Sequence, residues 1–287
     1  MSDKCYEVLQ RASLFLEKAG REPKVAEILL LHHLQITKEQ LLMRWRDPID
    51  ENTIKAFEKD IFTHVETGVP VQHLTKVEHF YGREFEVNQH VLIPRPETEE
   101  LVQQVIQQAK TMDKPLTIVD VGTGSGVIAI TLALELPGSR VYATDISEKA
   151  LSVAKRNADA MQADVTFLQG NFIEPFVDMD QTADIIVSNP PYIPWSQSDE
   201  LQDTVKNFDP DLALFAESNG LAAYHAILRQ MKTMKLSEQS MLAFEIGFDQ
   251  AATITNMIRQ NLPLREVFTI KDINQKDRIL LAYVIKR

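Results

Sequence analysis

The chain has 287 residues, 44% hydrophobic and 25% charged, with a formal net charge of −11; that is room for two domains, with the composition of an ordinary soluble globular protein. No apolar run reaches the roughly 18–20 residues that a membrane span needs, and the polar start Met1-Ser2-Asp3-Lys4-Cys5 does not read as a signal peptide. The acidity counts against a protein that grips nucleic acid through a basic face, while the single cysteine, Cys5, excludes an intrachain disulfide and a zinc site of its own, so a reducing, cytoplasmic setting is expected.

Residues 1–78 read as a small helical domain. Leu9, Ala12, Leu16 and Ala19 recur at helical spacing, as do Val25, Ile28, Leu29 and His32, with Pro23 where a first turn tolerates it. Ile54, Phe57, Ile61 and Val65 mark a further helix, which Gly68 and Pro70 stop. Residues 79–96 form a hairpin or linker: Phe80, Tyr81, Phe85, Val87, Val91 and Ile93 alternate with polar residues, and Pro94 and Pro96 punctuate the segment. A helix starts at Glu97, with acids in its first turn as the helix dipole favours.

From 97 to 287 strands and helices alternate. The strand candidates are Thr117–Val121, Arg140–Thr144, Val165–Leu168, Asp184–Ser188, Met241–Glu245, Val267–Ile270 and Ile279–Ile285, with helices at about 126–136, 147–161, 219–234 and 249–260. That alternation predicts an α/β fold, a mostly parallel seven-stranded sheet with helices on both faces. The last two strands are joined only by Lys271–Arg278, too short for a parallel crossover, so they are expected to be antiparallel.

Two loops carry chemistry. In Asp120-Val121-Gly122-Thr123-Gly124-Ser125-Gly126, between a strand and a helix, glycines let the backbone turn tightly and approach a ligand. Asp145, at the end of the next strand, is placed to accept hydrogen bonds from ribose hydroxyls. The spacing is G-x-G-x-G, unlike the dinucleotide pattern G-x-G-x-x-G, which disfavours an NAD dehydrogenase. An acid at 120 suits a cationic amino-acid moiety better than a pyrophosphate. Both features point to S-adenosylmethionine.

The second loop, Asn189-Pro190-Pro191-Tyr192, follows the buried strand Ile185–Ser188 at the sheet edge where ligands bind. Two prolines fix φ and lack donors. The Asn189 side-chain oxygen and the Pro190 carbonyl would accept both N–H groups of an amide or exocyclic amine, turning its lone pair toward a methyl group while Tyr192 stacks on the planar group. Such a transfer needs no metal, and water takes the released proton. The histidines show no metal-ligand spacing. Glu97, Glu99 and Glu245 are left between structural roles and lining the site.

With these motifs the chain resembles the HemK/PrmC-type release-factor glutamine methyltransferases. Pro70-Val71-Gln72-His73-Leu74-Thr75, Leu92-Ile93-Pro94-Arg95-Pro96-Glu97-Thr98-Glu99, both loops and the late Lys271-Asp272…Asp277-Arg278 segment carry the likeness. It implies a Rossmann-like class I methyltransferase domain over 97–287, preceded by a substrate-recognition domain over 1–78. It implies methyl transfer from S-adenosylmethionine to the side-chain nitrogen of the glutamine in a Gly-Gly-Gln loop of peptide chain release factors. By the same resemblance the cofactor contacts are Gly122, Thr123, Gly124, Ser125, Gly126, Asp145, Phe172 and Asn189. Asn189, Pro190, Pro191 and Tyr192 hold the glutamine, with Asn189, Pro190 and Tyr192 catalytic. Phe172 stands where the family often has tryptophan. The competing readings are a nucleic-acid amino-methyltransferase of the adenine type, disfavoured by the charge, and a non-catalytic binding module, disfavoured by the intact Asn189 and Asp145.

Overall fold

The structure is a computed structural model describing residues 3–113, 115–262 and 264–284. Met1 and Ser2, read above for a leader, and Ile285, the expected end of the last strand, lie outside the described residues. The chain divides into two compact units, one running to Val77 and including Gln202–Phe208, the other covering Glu78–Leu201 and the chain from Asp209 onward.

The first unit is helical. Helices Cys5–Lys18, Lys24–Leu34 and Glu51–Thr67 bury Val8, Ala12, Leu16, Leu29, Leu30, Phe57 and Ile61 in one cluster. Each of these side chains larger than alanine contributes about 1.5–3 kcal/mol over leaving it in water. Asp50 caps the third of these helices by accepting from the Thr53 amide at 2.9 Å, and Gly68 at φ 74° ends it in the left-handed conformation. Ile28 belongs to the expected apolar stripe yet is 36% exposed; Val25, Ala26, Leu29 and Leu30 form the buried face instead. The short helices Lys38–Met43 and Val71–Thr75 were not expected, being too brief to show a period. Residues 202–208 join this unit through a two-pronged Arg21–Asp203 ion pair at 2.9 and 3.0 Å.

A hairpin, β1 (Val77–Phe80) and β2 (Arg83–Glu86), starts at the last residue of the first unit and leads, in the second, to a seven-stranded sheet. Its strands are β3 (Thr117–Val121), β4 (Arg140–Asp145), β5 (Val165–Gln169), β6 (Thr182–Ser188), β7 (Lys235–Glu245), β8 (Leu264–Lys271) and β9 (Asp277–Val284). The spatial order is β8-β9-β7-β6-β3-β4-β5. The pairs among β3 to β7 are parallel; β9 is antiparallel to β8, as the short connection demanded, and also to β7.

Neighbouring strand residues point to opposite faces, and the two faces have separate cores. Ile118, Ile185, Val187, Met241 and Ile279 pack with Leu101, Val105 and Ile128 on one side. Val119, Val121, Ile186, Leu242 and Leu280 pack with Tyr224, Ile227 and Ile254 on the other. Helices Pro96–Ala109 and Val127–Glu135 cover the first face, and Ala222–Met231 and Ala251–Asn261 the second. The helix expected from 219 begins at Ala222, because Ser218, Asn219 and Gly220 take positive φ values of 57°, 56° and 80°. The chain order reverses between β3 and β6, so their C-terminal ends open the crevice in which ligands bind in such sheets.

Candidate active site

The glycine loop leaves β3 at that crevice. Gly122 and Gly124 take φ of 76° and 57°, the left-handed region where a side chain is strained, and a Cβ at either would meet nothing within 4 Å. These positions therefore keep an open cradle. Gly126 is different: at φ 86° its Cβ would lie 2.8 Å from Ile130 Cδ1 and 3.1 Å from Ala154 Cβ, so it is needed for packing. The amides of Gly122 and Thr123 both donate to the Thr144 carbonyl at 2.9 Å, stitching the loop to β4.

Asp120 does not face a ligand, contrary to the expectation that it meets a cationic moiety. It is fully buried, and its Oδ2 accepts from Thr123 Oγ1 at 2.6 Å and from the Ala129 amide at 3.2 Å. It shapes the loop from beneath. Burial raises its carboxyl to about 7, against the opposing effect of those two hydrogen bonds.

Asp145 ends β4 and takes the Gly124 amide on Oδ2 at 2.9 Å and the Ser147 amide on Oδ1 at 2.8 Å. Each oxygen keeps acceptor capacity for a hydroxyl. Burial raises its pKa. Asn157, from the helix Glu148–Met161, joins the loop to the hairpin: its Nδ2 donates to the Ser125 carbonyl at 2.8 Å and the Glu86 carbonyl at 3.0 Å, and its Oδ1 accepts from the Glu86 amide at 2.7 Å.

These parts surround a cavity of about 350 Å³ lined by Gly122, Thr123, Gly124, Ser125, Asp145, Phe172, Asn189, Pro190 and Pro191. Thr98, His90, Arg95, Ile146 and Leu212 also line it, none of them singled out by the sequence as facing a ligand. Gly126 and Tyr192 do not belong to the lining. The Tyr192 ring packs toward the second core, where burial pushes its hydroxyl to about 12. Its carbonyl accepts from Gln250 Nε2 at 3.0 Å, and a Cβ on Gly220 would lie 2.1 Å from that oxygen. Gly220 is therefore the backstop of the proline loop.

Asn189 sits at the end of β6 and donates from Nδ2 to Thr98 Oγ1 at 3.1 Å; Thr98 in turn donates to Glu245 Oε2 at 2.7 Å. Burial raises the Glu245 carboxyl to about 7, opposed by the Thr98 bond and by Arg278. Of the two acids flanking Thr98, Glu99 accepts the Tyr81 amide at 2.9 Å and so ties helix to hairpin, while Glu97 is absent from the cavity lining. Arg95 pairs with the buried Asp209 at 2.8 Å.

The cradle fits S-adenosylmethionine. Gly122 and Gly124 leave space where a backbone must come close, Asp145 offers carboxylate oxygens, Phe172 offers a ring face, and the lining is mostly apolar.

Residues 98–208 match the methyltransferase small domain family, and residues 7–75 match the PrmC N-terminal domain. A release factor glutamine methyltransferase of Bacillus cereus is 42% identical over 96% of this chain and 98% of its own length. One from Bacillus subtilis is 42% identical over 98% of each chain. Among solved structures, the N-terminal domain of human METTL16 in complex with SAH covers 89% of this chain and 91% of that one at a TM-score of 0.52 and 15% identity, a likeness of fold alone. Identity at this level over nearly the whole length, on a fold with a cofactor cradle, means that the chain belongs to the release factor glutamine methyltransferase family and is an S-adenosylmethionine-dependent methyltransferase.

Proposed function

We propose that the enzyme methylates the side-chain amide nitrogen of the glutamine in the Gly-Gly-Gln motif of peptide chain release factors. The observation that carries this reading is that one cavity is lined both by the glycine loop with Asp145 and by Asn189-Pro190-Pro191. S-adenosylmethionine supplies an already activated sulfonium methyl. The chain's own residues then have to hold the acceptor. A primary amide has two N–H donors, and the Asn189 side-chain oxygen with the Pro190 carbonyl accept both. The nitrogen lone pair is thereby freed toward the methyl, and the proton released on alkylation passes to water. Orientation of this kind lowers a barrier by roughly 7–11 kcal/mol relative to dilute reactants. Gly122, Thr123, Gly124, Ser125, Asp145 and Phe172 are assigned to the cofactor, with Gly126 supporting the turn.

Tyr192 acts in this scheme through its carbonyl and its packing, which hold the loop, and not by stacking on the acceptor. The helical unit is assigned to substrate recognition, and a release-factor substrate supports a cytoplasmic setting. Relatives named as release factor glutamine methyltransferases support the substrate. The net charge of −11 supports a protein over a nucleic acid. The test is mass spectrometry of a Gly-Gly-Gln release-factor peptide after incubation with enzyme and cofactor. One methyl on the glutamine is expected. Label transferred to nucleic acid alone, with an unmodified peptide, would overturn the assignment.

A further inference from the structure

We propose that Thr98 and Glu245 are positioning residues that set which way the Asn189 side-chain amide faces, and hence which atom of the substrate amide is presented to the methyl. The proposal rests on the glutamine reading above, which makes Asn189 an acceptor of substrate N–H groups.

The two ends of an asparagine amide have nearly the same shape and opposite polarity. Shape alone does not fix which end enters the cavity; the hydrogen-bond network must. Here three side chains from three elements form a chain: Asn189 at the end of β6, Thr98 in the first turn of helix Pro96–Ala109, and Glu245 at the end of β7. Thr98 is 3% exposed and Glu245 1% exposed, so water does not compete.

While Glu245 Oε2 carries no proton, the polarity runs one way. A hydroxyl has a single proton, and Glu245 Oε2 takes it at 2.7 Å. Only lone pairs on Thr98 Oγ1 are left for Asn189, 3.1 Å away. Asn189 must therefore turn Nδ2 toward Thr98, and Oδ1 is left for the cavity. The reverse orientation would set two oxygens against each other at the buried Thr98 and forfeit the hydrogen bond between them. Glu245 is itself fixed, since its backbone carbonyl accepts the Tyr224 hydroxyl at 2.8 Å.

The consequence for specificity is direct. An inward Oδ1 selects an N–H donor and therefore the nitrogen of a glutamine amide. An inverted Asn189 would offer N–H groups, bind the substrate carbonyl, and turn its nitrogen away. Losing the Thr98 hydroxyl is expected to cost turnover and not cofactor binding.

The experiment compares Thr98→Val, which keeps the shape without the hydroxyl, with Thr98→Ser, which keeps the hydroxyl. Both are assayed as full-length enzyme on a Gly-Gly-Gln release-factor peptide, with S-adenosylmethionine affinity measured by calorimetry. Thr98→Val should lower kcat about tenfold or more while the cofactor Kd stays within about twofold, and Thr98→Ser should return kcat to within about threefold of wild type. In an Asn189→Ala background the Thr98→Val change should cost less than about twofold, because the two residues act as one unit.

A Thr98→Val enzyme at wild-type kcat, a Thr98→Ser enzyme as slow as Thr98→Val, or an equal loss in both backgrounds would overturn the proposal. If Thr98→Val does not fold, Thr98→Ala takes its place under the same criteria. A wild-type enzyme that leaves the peptide glutamine unmodified defeats the functional reading and this proposal with it. Methylation by wild type and Thr98→Val alike defeats the positioning role alone.

Discussion

The two walls of the cavity are built by opposite strategies. The wall proposed for the cofactor is built on one turn of backbone: Gly122 to Ser125 turn back on β4, held by the Gly122, Thr123 and Gly124 amides and by Asp145 twenty-one residues from Gly124. The wall proposed for the acceptor is a relay of side chains. Asn189 meets Thr98 from 91 residues away, and Thr98 meets Glu245 from 147 residues away. A backbone-built wall tolerates change in many side chains and depends on glycine. A relay depends on the identity of each member. The first should control cofactor affinity and the second turnover.

The strongest test of this contrast is Asn189→Ala. It removes an acceptor in the site and should reduce kcat about a hundredfold, with a much smaller change in cofactor Kd by calorimetry. Turnover like that of wild type would erase the distinction between the walls and the proposed chemistry with it.

Stability should reveal the buried acids next. Glu245 is raised from 4.5 to about 7, and Asp120 from 3.8 to about 7. A carboxyl raised on folding holds its proton more tightly in the folded state. Its stabilising contribution is complete below the unfolded pKa and is lost as pH rises through about 7. For Glu245 this is about 3 kcal/mol. Denaturant melts at pH 4.5 and pH 8 should show Glu245→Gln losing less stability over that interval than wild type. Equal losses would mean that Glu245 carries no raised pKa.

The smallest effect expected is on the other wall. Asp145→Asn keeps one acceptor oxygen but loses the charge. Cofactor Kd should rise about tenfold, with kcat at saturation changed little. A kcat loss at saturating cofactor equal to that of Asn189→Ala would show that the two walls are not separable.

Sequence made the glycine turn legible because its residues are contiguous and its glycine spacing is a direct imprint of backbone conformation. The same holds for the sheet: each of the seven expected strands lies within an observed one over the described residues, and the antiparallel end followed from a short connection. Periodicity failed where tertiary contact overrode it. Ile28 kept the helical spacing but faces outward. The helix expected at 219 starts later because Gly220 must sit against the Tyr192 carbonyl. Asp120 was read as facing ligand because its place before the loop suggested it; its burial beneath the loop is a three-dimensional fact. Thr98 was hidden between Glu97 and Glu99, which drew attention as charges, whereas the uncharged residue between them faces Asn189.

Asn157 carries a consequence in time rather than in energy. One buried side chain holds the Ser125 carbonyl of the glycine loop and both backbone groups of Glu86 in the hairpin. These bonds are all made by the chain's own groups, so the wall needs no ligand to hold its shape and binding requires no prior folding of the loop. Encounter then sets the pace: S-adenosylmethionine should enter in a single phase whose observed rate climbs linearly with its concentration, with no plateau from a slow rearrangement in a stopped-flow record.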